Sequence, residues 1–211
     1  MSQPAEPLLP RRLLLPWLGF LVIALTVGVG VGAQSADYPT PFGIADCYRL
    51  LVGCQLFFVL VAVPLIEAGR GKGARAGWLE LLLLLAMGAP AVVVAAWVAA
   101  SGWPAAAASQ AYLAAACILV LCYERADPDG RSRGWWWLVL GALGAGAPIL
   151  AFLGEDLLRV RLTWLYAASP WWVADRLSRP WSFAWEWAVP FVLLLAVAAA
   201  LSAWPPRKAA R

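Results

Sequence analysis

The chain has 211 residues, 63% of them hydrophobic and 13% charged, with a net charge of +4. Soluble domains carry about 25% charged residues, and a single core cannot hide this much apolar surface, so lipid is the natural solvent. With no histidine, His-ligated haem or metal and Ser-His or Cys-His nucleophile pairs are excluded. The basic excess matches the Lys/Arg-rich cytoplasmic loops of membrane proteins, not nucleic-acid binding.

Six apolar segments, 13–33, 50–66, 79–100, 104–123, 135–153 and 183–204, are each predicted to cross about 30 Å of hydrocarbon as a helix. The expected fold is all-α: a polytopic six-helix membrane bundle, flanked by an N-terminal tail (1–12) and a basic tail (205–211). The first segment follows Arg11 and Arg12, as a secretory signal would, but it exceeds the roughly 7 to 15 residues of a signal core. It reads as a retained helix. Its Gly28-Val-Gly30-Val-Gly32 stretch contains G-x-x-x-G spacing, which serves internal packing or dimerisation alike.

The second segment contains Gln55 and Pro64 and leads to Gly69-Arg-Gly71-Lys72-Gly73. A phosphate loop needs a glycine five residues before the Gly-Lys pair and a Ser or Thr after it; those positions are Ile66 and Gly73, so the motif fails. In the third segment, Glu80 is explained by its place at the helix start. The fourth begins with the mildly apolar Ala105 to Ala108, Ser109 and Gln110 and needs neighbouring helices to hold it.

Prolines 64, 90, 148 and 190 interrupt predicted helices. Each removes a backbone donor and is able to bend its helix. Pro64 and Pro190, near predicted helix ends, are expected to be compensated by neighbours. Pro148 closes the small-residue stretch Gly141 to Pro148 and is the candidate hinge. The loop 154–182 mixes charges with Leu and Trp, which suits one or two short interfacial helices broken at Ser169-Pro170; a re-entrant hairpin is the alternative. Glu186, at the outer end of the sixth helix, is a candidate functional carboxylate.

With the N-terminus inside, eleven of the sixteen Lys and Arg residues fall on the cytoplasmic side, as the positive-inside rule expects. Arg49, Arg159, Arg161, Arg176 and Arg179 fall outside. Trp17, Trp78, Trp135 to Trp137 and Trp204 then mark the inner interface, with Trp97 about one turn inside the bilayer and the other seven at the outer interface. Cys47, Cys54, Cys117 and Cys122, spaced seven and five apart in pairs, fit small buried hydrophobes, not a disulfide framework or metal site. No catalytic constellation, cofactor site or metal site is expected.

The stretch from Leu51 to Leu85, with Gln55, Pro64 and Gly77-Trp78-Leu79-Glu80-Leu81-Leu82, resembles the second helix, first cytoplasmic loop and third helix of the type-2 ATP-binding-cassette exporter permeases. Ala168-Ser169-Pro170 before the last helix and the tail at Arg207-Lys208 resemble that family's ending. The sequence lacks the acid and the threonine the family usually carries in the first cytoplasmic loop, and Pro4, Pro7 and Pro10 disfavour a helix before the first crossing. The resemblance implies an exporter's membrane half, paired with a second permease, identical or related, and driven by a separate ATPase. Arg70, Lys72, Arg75, Trp78 and Glu80 would form the ATPase-docking loop, and a bacterial cytoplasmic membrane would be its home. An accessory or assembly subunit of a larger membrane complex is the alternative. A membrane enzyme is disfavoured, since no paired carboxylates or nucleophile-plus-base spacing appear.

Overall fold

The computed structural model describes residues 11–34, 43–68, 78–127, 130–160, 162–179 and 188–203. They form helices α1 (Arg11–Gln34), α2 (Ile44–Phe57), α3 (Val63–Ala68), α4 (Trp78–Val98), α5 (Gly102–Ala126), α6 (Arg133–Gly141), α7 (Ala147–Leu157), α8 (Thr163–Ala168), α9 (Pro170–Leu177) and α10 (Ala188–Ala203). A π-helical segment, Phe58–Ala62, joins α2 to α3, and another, Ala142–Gly146, joins α6 to α7. No strand occurs among the described residues.

Four continuous helical stretches are long and apolar enough to cross a bilayer: Ala45–Ile66, Glu80–Val98, Gly102–Ala126 and Arg133–Leu157. The first and last apolar helices are described over shorter apolar stretches, Leu13–Thr26 and Val189–Ala203. The second helix begins earlier than its hydropathy, at Ile44, and so takes in Asp46 and Arg49. The Asp46 carboxylate makes that start possible. It accepts from the Gly43 N–H at 2.9 Å and from Arg49 at 2.6 Å, capping the helix N-terminus with an acid.

Helix α5 is the centre of the bundle. Its start, read as only mildly apolar, is instead the feature that lets neighbours close in: Ala105, Ala106, Ser109, Ala115 and Ala116 are all buried, and small side chains allow close approach of helix backbones. Of its apolar window 67% is buried, against 17% for the helix Arg133–Leu157. Helices α4 and α10 pack against α5 most extensively. Ser109 also exchanges a hydrogen bond with Tyr48 of α2 at 3.1 Å, in a buried position.

The turn from α4 to α5 is tight because α4 ends in a Schellman arrangement. Ser101 N–H donates to Ala96 O and Ala100 N–H to Trp97 O, with Ala100 at φ 52°. At the opposite end of α5, Asp127 closes the turn into α6. It accepts from the Arg131 N–H at 3.0 Å and from the Ser132 N–H and hydroxyl, each at 2.6 Å. Burial pushes the Asp127 carboxyl up, but these bonds and the Arg133 charge outweigh it and hold the group below its ordinary 3.8.

The loop before α10 contains two short helices, α8 and α9, separated at Ser169-Pro170 as expected. Proline suits the first helical position, where its missing N–H has no partner to lose, and Ser169 caps α9 by accepting from the Trp172 N–H. Helix α9 is not simply a surface element. Val173, Ala174 and Leu177 are fully buried, packed into the main core, and α9 docks on α2. An ion cluster reinforces the contact: Asp175 lies 3.7 Å from Arg49 and accepts from Arg179 at 2.6 Å. Arg49 is thus brought to the end of the bundle that carries Arg176 and Arg179.

Trp17, expected at an interface, is a core residue at 2% exposure. Its ring packs on Phe58 with centroids 4.8 Å apart, and Gly88 leaves room for it: a Cβ there would stand 3.0 Å from the indole. Trp97, Trp103, Trp135 and Trp164 remain well exposed. None of the four cysteines is in a disulfide; Cys117 and Cys122 are buried and Cys47 and Cys54 half-buried.

Candidate functional site

The two π segments share one construction. Each is followed, two residues on, by a proline: Pro64 after Ala62 and Pro148 after Gly146. A proline inside a helix cannot donate to the carbonyl four residues back, and its ring collides with that carbonyl. Widening the preceding turn to the i→i−5 pattern relieves the collision. Val63 N–H reaches Phe58 O, and Ala147 N–H reaches Ala142 O, as that pattern requires.

The carbonyls deprived of a proline N–H are those of Leu60 and Gly144. Each receives a side-chain donor from elsewhere in the fold. The Trp136 indole N–H donates to Leu60 O at 3.2 Å, and the Ser169 hydroxyl donates to Gly144 O at 3.1 Å. In a dry environment such substitution is what allows a proline to stay in a helix. Pro64 is therefore not a helix-end proline but sits just after a π segment within a continuous helical stretch, compensated by a residue 72 positions away in the chain. Pro148 stands in the matching place. Pro90, by contrast, is exposed in α4 with no π segment beside it.

Gly144 has a second role. A Cβ there would overlap the edge of the Trp171 ring, so only glycine lets the start of α9 rest on this segment. The small-residue stretch ending at Pro148 is the seat for Ser169 and Trp171. At the other end of the same helix, the Trp136 ring stacks on Tyr123 with centroids 4.4 Å apart.

Between these two contacts lies an apolar cavity of about 310 Å3. Its floor is Leu56 and Leu60 of the broken second helix with Tyr112, Ala116 and Leu119 of α5; one wall is Trp136 to Leu143, the other Pro190 to Val197 of α10, and Ala167, Ala168 and Pro170 close one end. Pro190 is buried here, and Tyr112 meets Phe191 edge to face at 5.4 Å.

A second cluster sits where α1, α2 and α4 meet. Gln55 is 2% exposed, its Nε2 without a hydrogen-bond partner, as is the Trp17 Nε1. Both side chains abut the place where a Gly88 Cβ would be. Of the residues read as an ATPase-docking loop, Arg70, Lys72 and Arg75 lie outside the described residues, Trp78 opens α4, and Glu80 stands half-buried in its first turn. Glu186 also lies outside the described residues, as do the surroundings of Gly28 to Gly32. Sequence reasoning missed Trp136 and Ser169 as partners of the breaks; only the offset of four from each proline pointed to which carbonyls would need one.

No protein-family model, curated protein or solved structure matches the chain.

Proposed function

We propose that the chain is the membrane-spanning permease subunit of an exporter, crossing a bacterial cytoplasmic membrane six times with both termini inside. ATP hydrolysis belongs to a separate ATP-binding-cassette ATPase, docked on the loop holding Arg70, Lys72, Arg75, Trp78 and Glu80, and a second permease completes the unit. The chain itself performs no chemistry and needs no cofactor. The observation that supports this reading is the pair of π–proline irregularities at Leu60 and Gly144, within two otherwise continuous helical stretches that flank one apolar cavity. Transporters place helix breaks around the site that alternates between the two sides. Co-purification with an ATPase, abolished by changing Trp78 and Glu80 together to alanine, tests the docking. An intact complex in that double variant overturns it. Cysteine-accessibility mapping is expected to place 70–75 and 125–133 on the same, cytoplasmic side.

A second reading, an accessory or assembly subunit of a larger complex, draws on the helix Arg133–Leu157, which buries only 17% of its apolar window. Disulfide cross-links between cysteines at Val139 and Val197 separate the two. A mobile permease changes their yield with ATP, and a rigid assembly subunit does not.

A further inference from the structure

We propose that the cavity between α6 and α10 is a binding site for a single lipid acyl chain, entering from the bilayer. The inference concerns the cavity's occupant and stands whether or not the chain is an exporter.

Volume narrows the class of occupant. A helix about 10 Å across occupies roughly 800 Å3 over two turns, so a cavity of about 310 Å3 does not enclose a whole helix of a second copy or a partner. It is on the order of ten times the roughly 30 Å3 that one water molecule takes up in the liquid, room for a slender apolar chain. Shape agrees. The lining runs from Tyr112 to Leu119 on α5, from Trp136 to Leu143 and from Pro190 to Val197, in each case about 10 Å along the helix at 1.5 Å per residue. The space is a slot parallel to the helices, as a lipid tail is.

Chemistry excludes water as the filling. A buried water needs two to four polar partners, whereas the walls are aliphatic apart from Tyr112 and Trp136, and the Trp136 N–H is already committed to Leu60 O. Left empty, the slot would forfeit the dispersion contacts of its whole lining. The two walls also belong to helices that both pack elsewhere: α10 on α5, and α6 through Trp136 on Tyr123. The gap between them is therefore held open by the frame, and Leu193, Val197 and Val139, each well exposed, stand at its edge.

The test is photo-cross-linking of the full chain in phosphatidylcholine vesicles containing a phosphatidylcholine with a mid-chain diazirine, with labelled positions mapped by mass spectrometry. Leu119 and Ala116, buried on the cavity floor, are expected to be labelled alongside the exposed outer residues Leu138 and Phe152. Filling the slot with Leu193→Trp is expected to abolish floor labelling and leave Leu138 and Phe152 unchanged. Val197→Trp provides the same test if the first variant does not fold. Floor residues that stay unlabelled while the outer ones react overturn the proposal, as does floor labelling that survives both fillings. Labelling of the floor by a free diazirine fatty acid, but not by the vesicle lipid, overturns the assignment to a membrane lipid. No ATPase or transport assay enters the readout, so failure here leaves the permease reading untouched.

Discussion

The indole nitrogen of Trp136 lies 3.2 Å from the carbonyl oxygen of Leu60, the acceptor that Pro64 cannot serve. One hydrogen bond thereby joins the fifth apolar helix to a break in the second. The Ser169–Gly144 bond at 3.1 Å repeats the relationship for Pro148.

Trp136→Phe keeps the ring on Tyr123 but withdraws the donor. Interhelical hydrogen bonds in lipid average about 0.6 kcal/mol and reach about 1.7, so a loss of about 1 kcal/mol is expected in a denaturation titration of the reconstituted chain. Pro64→Ala returns an N–H to position 64, and in that background the Trp136→Phe loss should shrink. A double-mutant cycle with no coupling between the two sites would refute the compensation.

Gly144→Ala drives a methyl into the Trp171 ring. Overpacking of this kind costs about 1–3 kcal/mol, and the same thermal or denaturant midpoint reads it. Combining it with Trp171→Ala should recover most of the loss attributable to the clash. A silent Gly144→Ala would mean that α9 does not rest on this segment.

Gln55→Leu is expected to hold or raise stability. The amide is 2% exposed with an Nε2 that has no partner, and removing a buried unsatisfied polar group in favour of an apolar one of similar size is neutral or favourable. A loss above about 1 kcal/mol in the unfolding midpoint would show that the amide meets a partner in the working protein. Gly88→Ala should be destabilising, since its Cβ would stand 3.0 Å from Trp17 and 3.2 Å from Gln55 Nε2, and less so in the Gln55→Leu background.

Asp127 carries an acid-sensitive contribution. Its folded pKa lies below 3.8, so the stabilisation is fully present above that value and fades as pH falls through the lowered pKa. Asp127→Asn should lower the melting temperature at pH 6 and differ progressively less from the parent below pH 3.8. Equal differences at both ends of the titration would assign the effect to the side chain's shape, not its charge.

How much of this was legible beforehand depends on the range of the interaction. Over their described residues the six apolar segments fall on helical stretches, four of them long enough to cross a bilayer, because hydropathy is summed along the chain, and the Ser169-Pro170 break between α8 and α9 was visible because a cap and a first-turn proline act within a few residues. Arg49 as part of a helix was not, since hydropathy discards the residues that a capping Asp46 draws in. The burial of Trp17 was not legible for a related reason. Tryptophan preference is a statistical property of headgroup depth, while its burial follows from Phe58 and Gly88, distant in sequence.

By itself, then, the sequence determined that the chain is helical and apolar, and which carbonyls its prolines deprive of a donor, but not which of those prolines distort their helices. The tertiary structure decided what answers them. Trp136 and Ser169 reach Leu60 and Gly144 only because α6 and α9 are laid against the π segments, and the cavity exists only because α10 and α6 meet α5 at different points along its length, Tyr112 and Tyr123. Local bonding is set by neighbours a turn away, but a compensating donor 25 or 76 residues distant is found only when the chain has packed.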